Sequence, residues 1–122
     1  MSQSQENRSS FLNSFRGACQ GIFHSLKTEK HLRFHLFAAF LVIVSGVLLK
    51  FSRLNWLLLT YAIGSVITAE LFNTAVERVI DLVQPGYHPL AGAAKDIASG
   101  AVLVTAVQAV VIGIILFGPY FF

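Results

Sequence analysis

Four residues that could do chemistry together stand within one short run: Glu70, Asn73, Glu77 and Asp81. On a helix turning 100° per residue, Glu77 lies about 20° to one side of Glu70 and Asp81 about 20° to the other, with Asn73 about 60° away. The three acids therefore form a stripe roughly 16 Å long, bordered by the amide. Three like charges on one face repel. Water serves Asp81, but it serves Glu70 poorly, because an apolar run ends just before it. A metal ion, the ammonium of Lys95 or a ligand would compensate better. Hard divalent cations such as magnesium take carboxylate oxygens and keep waters that yield to phosphates. Lys95 and Asp96 stand across a short turn, and Glu29 precedes another apolar run at the same level, so five acids could converge. A single acid at such a place is more often a paired structural residue. Three acids and an amide on one stripe favour a site.

Other candidates are weaker. No Walker loop or glycine-rich kinase loop is present. Of His24, His31, His35 and His88, only His31 and His35 have the i, i+4 spacing of a ligand pair. They sit in a basic segment and read as interfacial histidines. Cys19, the single cysteine, excludes an internal disulfide and any multi-cysteine metal site. Arg78 lies about 80° from Glu70 and reads as a headgroup-facing base.

The elements that must hold the stripe follow from composition. The chain has 122 residues, 55 % of them hydrophobic and 12 % charged. Soluble domains carry about 25 % charged residues, so this chain cannot cover a water-facing surface. Three stretches lack fixed charge: 34–49, 54–69 and 97–122. The first two have 16 residues each, fewer than the roughly 20 needed to cross hydrocarbon. The second must therefore continue through Glu70 to Asn73, which carries an acid to the membrane boundary, where it needs a reason to exist. Seven Lys and Arg residues flank one side of these spans, and only Lys50 and Arg53 flank the other. The amino terminus is thus expected on the cytoplasmic side. The first 33 residues have no apolar signal-peptide core. The net charge of +3 comes without a basic run, so nucleic acid is not an expected partner.

From Phe11 to Leu26 the apolar positions follow helical spacing, opposite Asn13, Arg16, Gln20, His24 and Lys27. The pattern predicts an amphipathic surface helix over 9–27, capped by Ser9 or Ser10, after an irregular segment 1–8. Thr28 is the expected cap of the next helix. The spans are expected over 29–50, 54–83 and 90–118, with Pro85 and Gly86 stopping one helix and Pro89 starting the next. The fold class is an all-α membrane protein, one domain with a surface helix and three spans.

The run from Ala69 to Asp81 (AELFNTAVERVID), Tyr87-His88-Pro89-Leu90 and the run from Ala94 to Val102 (AKDIASGAV) together closely resemble the bacterial diacylglycerol kinase and undecaprenol kinase family. The resemblance spans about residues 10–118. NTAVERVIDL and YHPLA look more like the undecaprenol kinase branch. The family implies a homotrimer of small chains that use ATP and magnesium without a kinase fold. Carried over by residue, it implies Glu70 as general base and Glu29 and Glu77 as the metal-coordinating pair. Asn73, Asp81, Lys95 and Asp96 would complete the nucleotide site. Arg33 matches a basic family position before the first span. The family often has a basic residue near position 10, where this chain has Ser10, with Arg8 the nearest substitute.

The expected activity is phosphorylation of a membrane lipid alcohol by ATP in the bacterial cell membrane, with the site on the cytoplasmic face. Undecaprenol is the first candidate substrate and diacylglycerol the second. The alternative of another class is a non-catalytic membrane protein or ion-pathway subunit. That would require polar residues continuing through the bilayer, and the third span offers only Thr105 and Gln108.

Overall fold

The computed structural model describes residues 2–122, which form four helices: α1 (Gln3–Thr28), α2 (Lys30–Leu48), α3 (Arg53–Val83) and α4 (Pro89–Phe121). The last three are long and apolar enough to cross a membrane. Helix α1 begins well before the expected Ser9 or Ser10 because Ser2 forms a capping box. Ser2 Oγ accepts from the Gln5 amide, and Gln5 Oε1 accepts from the Ser2 amide, each at 3.4 Å. Residues 3–8 are therefore helical rather than irregular, and the Ser9 hydroxyl donates to the Glu6 carbonyl instead of capping. Met1, also expected to be irregular, lies outside the described residues.

One residue, Glu29, separates α1 from α2 in an extended conformation (φ −111°, ψ 109°). Thr28 does not cap α2 as expected. It belongs to α1, and its hydroxyl donates to the His24 carbonyl at 3.2 Å. The Arg33 guanidinium donates to the carbonyls of Leu26 and Lys27 at 2.8 and 3.0 Å. It thereby satisfies acceptors that a helix end leaves open.

At the far end of α2, the Phe51 amide donates to the Gly46 carbonyl and the Lys50 amide to the Val47 carbonyl. This is a Schellman turn, and it holds Lys50 at φ 56°, a position that favours glycine. Gly46 is needed for a different reason. A Cβ there would stand 2.9 Å from Trp56 Cη2 and 3.0 Å from Phe51 Cδ2. Ser52 Oγ then caps α3 by accepting from the Asn55 amide at 3.2 Å. Helix α3 stops at Val83, just before Pro85 and Gly86. His88 Nδ1 accepts from the Leu90 amide at 3.1 Å and starts α4 with Pro89 in its first turn.

Helix α3 is the hub: α4 packs along it most extensively, then α2, and α1 touches both α2 and α3. The apolar core lies near the α2–α3 turn, where Phe51, Leu59 and Leu116 are buried among Trp56, Ile112 and Phe117. Elsewhere the large apolar side chains of the long helices, among them Phe37, Phe40, Leu103 and Ile114, point outward. A surface of this kind suits hydrocarbon rather than water.

Candidate active site

The buried positions of α3 are Leu59, Ala62, Val66, Glu70 and Thr74. Their gaps of three and four place them on one helix face, so Glu70 occupies a packing position. It is only 6 % exposed. A carboxylate removed from water needs a donor or a positive charge beside it. That neighbour comes from α2, where His35 Nε2 lies 3.1 Å from Glu70 Oε1. His35 belongs to the α2 seam that includes the buried Leu32, Ala39 and Gly46. Its ring also forms the polar end of an apolar cavity of about 270 Å³ lined by Ala38, Ala39, Ala62 and Val66.

One turn along α3, Asn73 Nδ2 donates to Glu77 Oε1 at 3.4 Å. Its Oδ1 is buried and, among the described residues, is the one buried side-chain acceptor without a donor. At the outer end of the stripe, Lys95 Nζ on α4 donates to Asp81 Oδ1 at 2.6 Å. This pair is open to solvent, the Asp81 side chain being 63 % exposed. The stripe thus runs from a desolvated acid to a hydrated one. Each of its acids has its own neighbour: His35 for Glu70, Asn73 for Glu77 and Lys95 for Asp81.

Glu29 does not join the stripe directly. Its Oε1 accepts from Arg78 Nη2 at 3.1 Å. The same guanidinium donates to Thr28 Oγ1 at 2.6 Å and to His24 Nε2 at 2.9 Å. Arg78 has no acceptor of its own, so His24 Nε2 must accept and the ring carries its proton on Nδ1. This corrects the reading of Arg78 as a headgroup-facing base: the α1–α2 junction lies against its side of α3. Asp96 is exposed and, among the described residues, has no side-chain hydrogen bond or ion pair. Within the described residues of one chain, no three His, Cys, Asp or Glu side chains gather closely enough to form a metal cage.

His35 is the neighbour that sequence reasoning missed. Its basic surroundings suggested an interfacial ring. The available signal was its spacing: 32, 35, 39, 42 and 46 alternate by three and four, as a packed helix seam does.

Comparison with known proteins identifies the family. The profile of the family described as prokaryotic diacylglycerol kinase matches residues 16–117. An undecaprenol kinase of Bacillus subtilis (strain 168) is 42 % identical over 109 residues, covering 89 % of each chain. A diacylglycerol kinase of Synechocystis is 41 % identical over 103 residues, 84 % of this chain and 59 % of that protein. One of Haemophilus influenzae is 31 % identical over 111 residues, 91 % of this chain and 92 % of that protein. With its three membrane-length helices and a family match over most of its length, the chain belongs to the prokaryotic diacylglycerol kinase family of lipid kinases.

Proposed function

We propose that this protein transfers the γ-phosphoryl group of ATP to the hydroxyl of a membrane lipid alcohol, with undecaprenol as the preferred acceptor. The observation that carries the reading is the single face of α3 on which buried Glu70, half-buried Glu77 and exposed Asp81 succeed one another. A lipid hydroxyl is tethered at the depth of the hydrocarbon boundary, whereas ATP arrives from water. One helix face spans both levels. Glu70 accepts the hydroxyl proton as the new O–P bond forms and the bond to ADP breaks, its electron pair leaving with ADP. Lys95 supplies fixed positive charge beside the phosphates, and Asp81 and Asp96 contact the nucleotide farther out.

The donor set fits magnesium: Glu29 and Glu77 offer hard carboxylate oxygens, and the unpartnered Asn73 Oδ1 offers a third. Glu29 and Glu77 would hold the ion, which when bound offsets charge on the phosphates. The reading includes a homotrimer, as the family resemblance implies. The basic flank supports an amino terminus and a site on the cytoplasmic face of a bacterial cell membrane, with α1 along the headgroups.

Undecaprenol is preferred to diacylglycerol on two grounds: the similarity to the Bacillus undecaprenol kinase over nearly all of both chains, and the NTAVERVIDL and YHPLA runs. The test is a kinase assay of the purified protein with radiolabelled ATP in mixed micelles, with undecaprenol and diacylglycerol in competition. Undecaprenol should show the higher kcat/KM. A clear preference for diacylglycerol would overturn the substrate assignment and leave the lipid kinase standing.

A further inference from the structure

We infer that His35 is a positioning residue for Glu70, holding one carboxylate oxygen so that the other faces the lipid hydroxyl. The inference rests on the reading of Glu70 as the general base and goes beyond it, since the acid stripe of α3 does not contain His35. Three observations carry it. Glu70 Oε1 stands 3.1 Å from His35 Nε2, and among the described residues no other side chain bonds to this carboxylate. A buried carboxylate with a single polar neighbour takes its orientation from that neighbour. Second, the ring is anchored. His35 sits on α2 between the buried Leu32 and Ala39, in the seam that packs on α3. Third, the two side chains differ in access: that of Glu70 is 8 % exposed and that of His35 is 23 % exposed. The ring is therefore the open edge of the pair, and it lines the apolar cavity between the helices. An acceptor lying in that cavity meets the His35 ring, whose Nε2 is the atom beside Glu70.

The contact calls for a proton on Nε2, which imidazolium carries and which one of the two neutral tautomers carries. The proton of the lipid hydroxyl goes to Glu70 Oε2. His35 keeps its own proton, makes no bond to phosphorus and acts only through Glu70. A carboxylate released from this contact loses its aim, and misplacement of about 1 Å costs roughly 100-fold in rate.

The test compares full-length His35→Leu, His35→Gln and Glu70→Gln in mixed micelles, with kcat, KM for ATP and thermal unfolding measured for each. Glutamine carries an N–H donor at nearly the reach of Nε2, whereas leucine fills the space without one. His35→Leu should lose about 10- to 100-fold in kcat with KM for ATP within about twofold of the parent. His35→Gln should recover most of that loss. In a Glu70→Gln background, His35→Leu should have no further effect, because the two act as a unit. Near-parental kcat in His35→Leu overturns the inference. So does a His35→Gln variant as slow as His35→Leu, or a loss that follows the unfolding temperature alone. If Glu70→Gln itself turns over normally, the reading of Glu70 as base fails, and this outcome is distinct from failure of the His35 inference with Glu70→Gln inactive.

Discussion

Arg78 Nη2 lies 3.1 Å from Glu29 Oε1, a contact that joins α3 to the single residue separating α1 from α2. The same guanidinium reaches Thr28 and His24. One side chain thus joins the end of α1 and the start of α2 to the last two turns of α3, one residue along from Glu77. Arg78→Ala should loosen this junction. The contact is partly exposed, so the loss of stability should be about 1 kcal/mol. Trypsin cleavage after Lys27 or Lys30 should accelerate, and timed proteolysis in detergent checks it. Arg78→Lys should restore little, since an ammonium cannot present the guanidinium fork.

Glu70→Gln should lower kcat by about 100-fold or more while leaving ATP–magnesium binding largely intact, because a neutral amide cannot take a proton. Single-turnover assays beside nucleotide-binding measurements separate the two. Near-normal turnover removes Glu70 as the base.

Glu29→Ala and Glu77→Ala should each raise the magnesium concentration needed for half-maximal activity. A magnesium titration at saturating ATP reads it. If these acids serve structure alone, activity follows thermal stability and added magnesium restores nothing.

The turn between α2 and α3 allows opposite changes in stability. Lys50→Gly relieves a left-handed backbone position and should stabilise the fold by about 0.5–1 kcal/mol. Gly46→Ala forces a methyl against Trp56 and Phe51 and should cost about 1–3 kcal/mol. Thermal unfolding of the two variants in the same detergent measures both.

Much of the scaffold was legible from local chemistry. Pro85, Gly86 and Pro89 mark the break between α3 and α4, because proline constrains the backbone wherever it stands. The relation of Glu70, Glu77 and Asp81 follows from helix geometry alone. What was not legible depends on how separate helices meet. His35 and Glu70 are 35 residues apart, and only the register of α2 on α3 brings them to 3.1 Å. The 80° between Arg78 and the stripe gives no sign that the α1–α2 junction occupies the neighbouring side of α3. The start of α1 differs from expectation for a local reason: the Ser2–Gln5 capping box begins the helix in a polar segment that has no apolar periodicity to mark it.

The close approach at Gly46 makes the α2–α3 hairpin a pair of tongs. Its fulcrum is the contact of Gly46 with Trp56 and Phe51. His35 lies eleven residues along α2 from that fulcrum, a lever arm of roughly 16 Å at 1.5 Å per residue. Each degree by which the arms splay separates His35 from Glu70 by roughly 0.3 Å on that arm. A rotation of about 3° at the far end of the hairpin is enough to part the pair, so the grip on the carboxylate is set by packing more than two helical turns away.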